Sequence, residues 1–232
     1  MIVMPSNSSG WFWHSLALLT GKLGHLYSPG SQRGPWPWFP YALDNGAFSC
    51  WDMQNNTFDE QKWKSIEAEW KRMLFWATST EQKPMWAIVP DRPGNAEQTF
   101  QKWSEFAGCV KSSGIPAALA VQDGMTVESV KSLQILPDVI CVGGTTEWKW
   151  ETVEMWAGSF ARVHLLRCNR PAKLDFLQSL GVESCDGTGW NRGDREQTAG
   201  LERWLKKNAK PVAHDLFPYV SRKTCKQQIA FA

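Results

Sequence analysis

Residues 117–144 read AALAVQDGMTVESVKSLQILPDVICVGG, and the fold turns on how their apolar runs alternate with polar ones. Ala117–Val121 is an unbroken apolar run that stops at Gln122-Asp123-Gly124, and Val139–Val142 is another that stops at Gly143-Gly144. Between them lies a segment with a helix expected near Thr126–Leu133. A run that is apolar at every position is buried on both faces, and too many residues separate the two runs for a hairpin. The unit is strand, helix, strand in a parallel sheet.

Working outward, the same unit repeats in both directions. Ile2–Met4 precedes a helix around Trp11–Leu19, and Tyr41–Leu43 precedes a long helix over Asp59–Thr78. Trp86–Val89 is followed by a helix over Ala96–Ser112, and Val139–Val142 by one over Glu147–Ala157. Val163–Leu166 leads to Ala172–Leu180, and Glu183–Cys185 to Arg195–Asn208. The Gly-, Pro- and Ser-rich stretch from Gly21 to Pro40 reads as a loop. Seven strand-then-helix units imply a parallel sheet with helices outside it, closed as a doubly wound sheet or as a (β/α)8 barrel. A dinucleotide fold needs a Gly-rich turn after its first strand, whereas Gly187-Thr188-Gly189-Trp190-Asn191-Arg192-Gly193 only resembles one and follows the last. The expectation is therefore an α/β chain forming one TIM-like barrel over residues 1–232, with one βα unit irregular or missing. The eighth strand is expected at His214–Val220, which Pro218 interrupts.

Composition narrows the function classes. The formal charge of +2 is unevenly spread: residues 187–232 hold nine Lys/Arg against four Asp/Glu, and the rest of the chain is net negative. A basic face on a near-neutral body suits a polyanion, as it also suits a solvated surface. The six cysteines stand singly, without the spacing of a zinc site or a disulfide framework. Cys141, Cys168 and Cys185 lie in or beside strand-like runs and read as buried small hydrophobes in a reducing compartment. No apolar stretch reaches the roughly 18 residues of a membrane span, and Met1–Pro5 lacks a signal peptide's basic region, so a cytoplasmic protein is expected. Of the 15 tryptophans, those on the helical stripe Trp63, Ile66, Trp70, Leu74 read as core, as does a weaker stripe at Trp148 and Met155. Trp36-Pro37-Trp38-Phe39-Pro40 instead sits in the loop, where an aromatic ring can stack on a ligand.

The chemistry lies at the strand ends, where a barrel builds its active site. They read Leu43-Asp44-Asn45-Gly46, Val89-Pro90-Asp91, Val121-Gln122-Asp123-Gly124, Val142-Gly143-Gly144-Thr145 and Cys185-Asp186-Gly187. One aspartate after a strand is an ordinary cap or turn former. Three acids and an amide on one rim suit glycosyl transfer, in which one carboxylate attacks the anomeric carbon and another moves a proton. A further acid and an amide can read a purine edge, and a glycine pair bares backbone where a side chain would block a flat base. The histidines (His14, His25, His164, His214) form no catalytic or metal-binding order, and His164 inside a strand reads as a satisfied core residue.

These motifs resemble those of the tRNA-guanine transglycosylase superfamily. His164–Asp186 (HLLRCNRPAKLDFLQSLGVESCD) is similar to the stretch running from a strand through a Gly-Val-Gly-x-Pro loop to the nucleophilic aspartate, with Pro171 and Asp186 in register. Leu43–Phe48 is similar to its Asp-Ser-Gly-Gly-aromatic motif, and Ala120–Gly124 to its Val-Gln-Gly-Gly. Val142-Gly143-Gly144 with Glu147 is similar to its Gly-Gly-Leu-Ala-x-Gly-Glu, and Asp91 falls at its base-binding aspartate. The five motifs keep their order over residues 43–190. The resemblance implies Asp186 as nucleophile and Asp44 as general acid/base. It implies recognition of the base by Asp91, Gln122, Gly143, Gly144 and Glu147, with Phe48 and Leu166 on its two faces, although plain core packing is an equal reading of those two.

The likeness departs from the tRNA enzymes in three ways. Their Cys/His zinc site is absent, since Cys225 stands alone with His214, and no metal is expected. Gly187–Arg192 replaces the Pro-Thr-Arg after the nucleophile, and the chain is much shorter. The compact, zinc-less 7-deazapurine DNA transglycosylases, particularly those encoded by viruses of bacteria, are the closer resemblance. It implies exchange of guanine in DNA for a free 7-deazaguanine base, without a cofactor and away from any membrane. Arg192, Arg195, Arg203, Lys206, Lys207, Lys210 and the loop at Arg33 would hold phosphates. A tRNA-guanine transglycosylase, a hydrolytic nucleosidase or DNA glycosylase on the same barrel, and a non-catalytic nucleic-acid-binding module stay open.

Overall fold

The computed structural model describes residues 1–5, 11–31, 39–55, 57–191 and 195–210. Among these, eight parallel strands form one sheet: β1 (Ile2–Pro5), β2 (His25–Tyr27), β3 (Tyr41–Leu43), β6 (Ala87–Ile88), β7 (Ala117–Val121), β8 (Val139–Val142), β9 (Val163–Leu165) and β10 (Ser184–Gly187). A two-stranded antiparallel ribbon, β4 (Trp51–Asp52) and β5 (Thr57–Phe58), interrupts the series after β3. The helices are α1 (Trp11–Thr20), α2 (Glu60–Ser79), α3 (Ala96–Ser112), α4 (Val127–Lys131), α5 (Thr146–Ser159), α6 (Leu174–Ser179) and α7 (Arg195–Lys207).

The sheet order is β1-β10-β9-β8-β7-β6-β3-β2. Its two edges meet through a parallel bridge between Val3 and Leu23, where Val3 N–H donates to Lys22 O at 2.8 Å and Gly24 N–H to Val3 O at 2.9 Å. This contact closes the TIM-like barrel. Gly24 is needed there, because a Cβ would come within 2.8 Å of Pro40 O and 2.9 Å of the Ile2 side chain.

The eighth strand is thus β2, inside the stretch read as a loop; His214–Val220 lies outside the described residues, as do Arg33, Trp36, Pro37, Trp38, Arg192 and Cys225. Phe39 is core rather than a stacking platform, only 1% exposed. The Trp63, Trp70 and Leu74 stripe is buried as expected, but α5 buries Lys149, Val153 and Trp156 while Met155 faces solvent. The helix expected over 172–180 opens as a 3-10 turn (Pro171–Lys173) before α6. Asp59 caps α2 by accepting the Lys62 N–H at 2.9 Å, and Asn95 caps α3 in the same way.

Strand periodicity sorts the core into two shells. Val3, Tyr41, Leu43, Ala87, Leu119, Ile140 and Leu165 pack outward against the helices. Met4, Leu26, Ala42, Trp86, Ile88, Ala118, Ala120, Val139 and Cys141 fill the barrel itself. Side chains alternate along a strand, so the next inward positions after Leu26, Ala42, Ala120, His164 and Ser184 are Ser28, Asp44, Gln122, Leu166 and Asp186. Because the strands are parallel, all five emerge at one end. No helix of the described residues is long and apolar enough to cross a membrane.

Candidate active site

At the C-terminal mouth of the barrel lies a cavity of about 790 Å³, lined by Asp44, Asp91 and Asp186 together with Phe48, Gln122, Gly143, Gly144 and Leu166. Of the base-recognition residues expected from sequence, Glu147 does not join them. It is exposed on the first turn of α5, where helix geometry turns it away from the strand that precedes it.

Asp186 is 4% exposed. Its Oδ1 accepts the Arg167 N–H at 2.8 Å and faces His164 Nε2 at 3.2 Å, while Oδ2 has no protein partner among the described residues. Asp44 accepts from the Ser28 hydroxyl at 2.9 Å. Burial raises its pKa; the Ser28 hydroxyl and the Gly46 and Asn45 N–H groups oppose the rise, and the charge of Asp186 adds to it. Burial likewise pushes Asp91 up to about 6, against the Asn45 hydrogen bond and with help from Asp44. Two acids on one rim are thereby biased toward their protonated forms.

Asn45, only 2% exposed, connects two strand ends. Its Nδ2 donates to Val89 O at 2.9 Å and to Asp91 Oδ1 at 2.8 Å, and its Oδ1 accepts the Ala47 N–H at 2.8 Å. Gln122, expected to read the purine edge, lines the cavity but has its amide engaged within the protein. Its Nε2 donates to Arg92 O and Thr99 Oγ1, and its Oε1 accepts the Gly94 N–H at 2.6 Å, so it braces the turn before α3 and shows the cavity no spare donor.

Gly144 is sterically required and Gly143 is tightly packed. A Cβ on Gly143 would press on Val121 O at 3.2 Å, and Gly144 has φ 72° with Asp123 Oδ2 and the Trp148 ring where its Cβ would go. Asp123 holds this turn by accepting from Thr145 N–H and Oγ1, both at 2.7 Å. Not all of the bared backbone is free. Gly143 N–H is spent on Val121 O and Gly144 O on Arg167 Nη2, leaving Gly143 O and Gly144 N–H without partners among the described residues.

Arg167 is the functional-site residue that sequence reasoning missed most fully. Its backbone is left-handed (φ 53°), and its guanidinium spans the cavity from Gly144 O to the face of Phe48, 4.2 Å above the ring centroid. Lys149 secures the turn from beneath, donating to Leu166 O at 2.9 Å and Arg167 O at 2.8 Å. Burial, aided by the charge of Arg167, lowers the Lys149 ammonium to about 8. Asn169 (φ 46°) ties the same turn to Gly189 N–H at 2.9 Å. A lysine between two tryptophans on α5 was the only hint in the sequence.

The basic residues of α7 stay outside the cavity. Arg203, Lys206 and Lys207 are exposed, but Lys206 pairs with Glu202 at 2.7 Å and Lys207 with Asp175 at 2.9 Å, which weakens the field expected there. Arg195 is exposed at the start of the helix, and Arg192 lies outside the described residues. Among the described residues no group of three or more His, Cys, Asp or Glu is arranged to hold a metal ion.

No protein-family model matches the chain, and no curated protein matches it. Among solved structures, it is similar to a chain of the tryptophan synthase α2β2 complex from the hyperthermophile Pyrococcus furiosus, at 12% identity and a TM-score of 0.44. The match covers 73% of this chain and 66% of that one.

Proposed function

We propose that the protein is a DNA guanine transglycosylase, exchanging guanine in DNA for a 7-deazaguanine base through a covalent ester between Asp186 and the sugar. The observation that carries this reading is the convergence of Asp44, Asp91 and Asp186, from three separate strand ends, on one cavity. A second feature supports it. Positions 167 and 169 stand where the resembling transglycosylase loop has glycines, and they are the two non-glycine residues with left-handed backbone among the described residues.

A guanine leaves the stack, because a duplex shields its glycosidic bond, and enters the cavity. Asp186 Oδ2, the oxygen free of protein partners, attacks C1′ as the C1′–N9 bond breaks. The bonding pair leaves with the base, and Asp44, which burial favours in its protonated form, gives the departing guanine a proton. The incoming base then attacks C1′ through N9, the ester C–O bond breaks to restore the Asp186 carboxylate, and Asp44 takes the proton back. Two displacements retain the sugar configuration. Gly143 O, Gly144 N–H and Asp91 face the base edge, and Arg167 must swing off the Phe48 ring for a base to stack there. Exposed cations of α7 hold phosphates without reading sequence.

The test is nucleoside mass analysis of DNA incubated with the protein and labelled guanine or candidate 7-deazaguanines. Incorporation that Asp186→Ala abolishes is the expected result. Abasic sites without incorporation, labelling of tRNA alone, or full exchange by Asp186→Ala each overturns the proposal.

A further inference from the structure

Two polar side chains lie in the floor of the barrel, below the reacting carboxylate and away from the cavity lining. His164 of β9 and Ser184 of β10 are register partners, and each is 0% exposed. Their surroundings are otherwise apolar: the Trp86 ring stands edge-on to the imidazole at 4.6 Å, and Trp86 belongs with Met4, Ala118 and Cys141 to the apolar cluster that fills the barrel. Polar groups there lose hydration and hold their place only when fully hydrogen-bonded. Apolar residues would fill the barrel floor without that cost.

With Asp186 as an ionised nucleophile and His164 as a neutral imidazole, the hydrogen bonds run in one direction. His164 Nδ1 lies 2.8 Å from Ser184 Oγ, and Nε2 lies 3.2 Å from Asp186 Oδ1. An ionised carboxylate only accepts, so Nε2 carries the proton; in the neutral imidazole Nδ1 is then an acceptor, and the Ser184 hydroxyl donates to it. The serine thus selects the tautomer that the carboxylate needs. Oδ1 is gripped from a second side by the Arg167 N–H at 2.8 Å.

We propose that Ser184 and His164 form a buried positioning relay that fixes the rotation of the Asp186 carboxylate and presents Oδ2 alone to the substrate. This rests on Asp186 being the nucleophile. His164 and Ser184 touch no substrate; they act through the aspartate. Losing the Nε2 donor lets the carboxylate turn about its Cβ–Cγ bond, and mis-aimed nucleophiles lose rate far more than binding.

The experiment compares guanine exchange by His164→Leu, His164→Gln, Ser184→Ala and Asp186→Asn, with thermal unfolding confirming that each folds. His164→Leu is expected to lower kcat by about 10- to 100-fold with KM for guanine within about twofold. His164→Gln, whose amide can donate to Oδ1, recovers about a tenth or more of the wild-type kcat. Ser184→Ala removes a single oxygen, so it keeps the test open should His164→Leu fail to fold; it lowers kcat severalfold, again without raising KM. An unchanged kcat in His164→Leu or Ser184→Ala, or a loss confined to KM, overturns the relay. If Asp186→Asn itself exchanges guanine at the wild-type rate, the nucleophile assignment falls instead, so the two failures are told apart.

Discussion

The Asn45 side chain donates to Asp91 at 2.8 Å and to Val89 O at 2.9 Å, so an amide at the end of β3 holds an acid at the end of β6. Asn45→Ala leaves the Val89 carbonyl and the Ala47 N–H without their partner in a buried place. The expected loss is about 2–4 kcal/mol of stability, read by urea denaturation. Asp91 also loses its stabilising donor, so its pKa moves further up, which ¹³C-detected titration of the carboxyl group reports.

Asp91 makes folding stability depend on pH with a definite sign. Its pKa rises from 3.8 to about 6 on folding, so between these values the native state binds the proton more tightly than the unfolded chain. Stability from this group is present below about pH 4 and falls as pH rises through about 6, by roughly 3 kcal/mol at most. Asp91→Asn removes the penalty. The variant is expected to be more stable than wild type at pH 7.5, with the difference vanishing near pH 4, in denaturation curves taken at both values.

Arg167 adopts φ 53°, a conformation that glycine takes at no steric cost. Arg167→Ala and Arg167→Gly both remove the guanidinium from Phe48 and Gly144 O, but only the glycine relieves the backbone. Arg167→Gly is therefore expected to be more stable than Arg167→Ala by about 1 kcal/mol. Equal unfolding midpoints for the two would show that the turn carries no strain.

Two glycines with similar backbone angles make a controlled pair. A Cβ on Gly144 (φ 72°) runs into Asp123 and Trp148, whereas one on Gly124 (φ 85°) meets nothing within 4 Å. Gly124→Ala is expected to cost about 1 kcal/mol, the backbone term alone. Gly144→Ala adds the clash and disturbs the Asp123–Thr145 bonds, for about 3 kcal/mol or more. Thermal unfolding of both variants measures the difference.

Most of the barrel was legible because strand-like runs at seven places, from Ile2–Met4 to Glu183–Cys185, alternate with helical segments. The eighth strand was not. His25-Leu26-Tyr27 sits between Gly24 and Ser28-Pro29-Gly30, and no local pattern marks it as a strand. It is one because neighbours claim its backbone: His25 N–H donates to Pro40 O at 2.8 Å, and Tyr27 O accepts the Asp44 N–H at 2.9 Å. Within the site, Asp44, Asp91 and Asp186 could be found because each stands just past the end of an expected strand, at Leu43, Val89 and Cys185. The place of His164 inside an apolar strand implies a buried, satisfied side chain, but nothing around it in the chain reveals that the groups satisfying it are Ser184 and Asp186, 20 and 22 positions away.

Local chemistry settled which side chains arrive at the mouth of the barrel, since a two-residue alternation carries on past the last apolar position of each strand. What each side chain does on arrival was decided in three dimensions. Gln122 looks free in the chain and is consumed by the turn before α3; Arg167 looks like a loop residue and crosses the cavity; Glu147 lies two positions beyond the turn and faces water. Buried polar atoms take whichever partner the closed barrel brings within hydrogen-bond reach, and for Gln122, Arg167 and Asp186 that partner stands about 20 or more positions away in sequence. Barrel closure and strand register, not neighbouring residues, make the match.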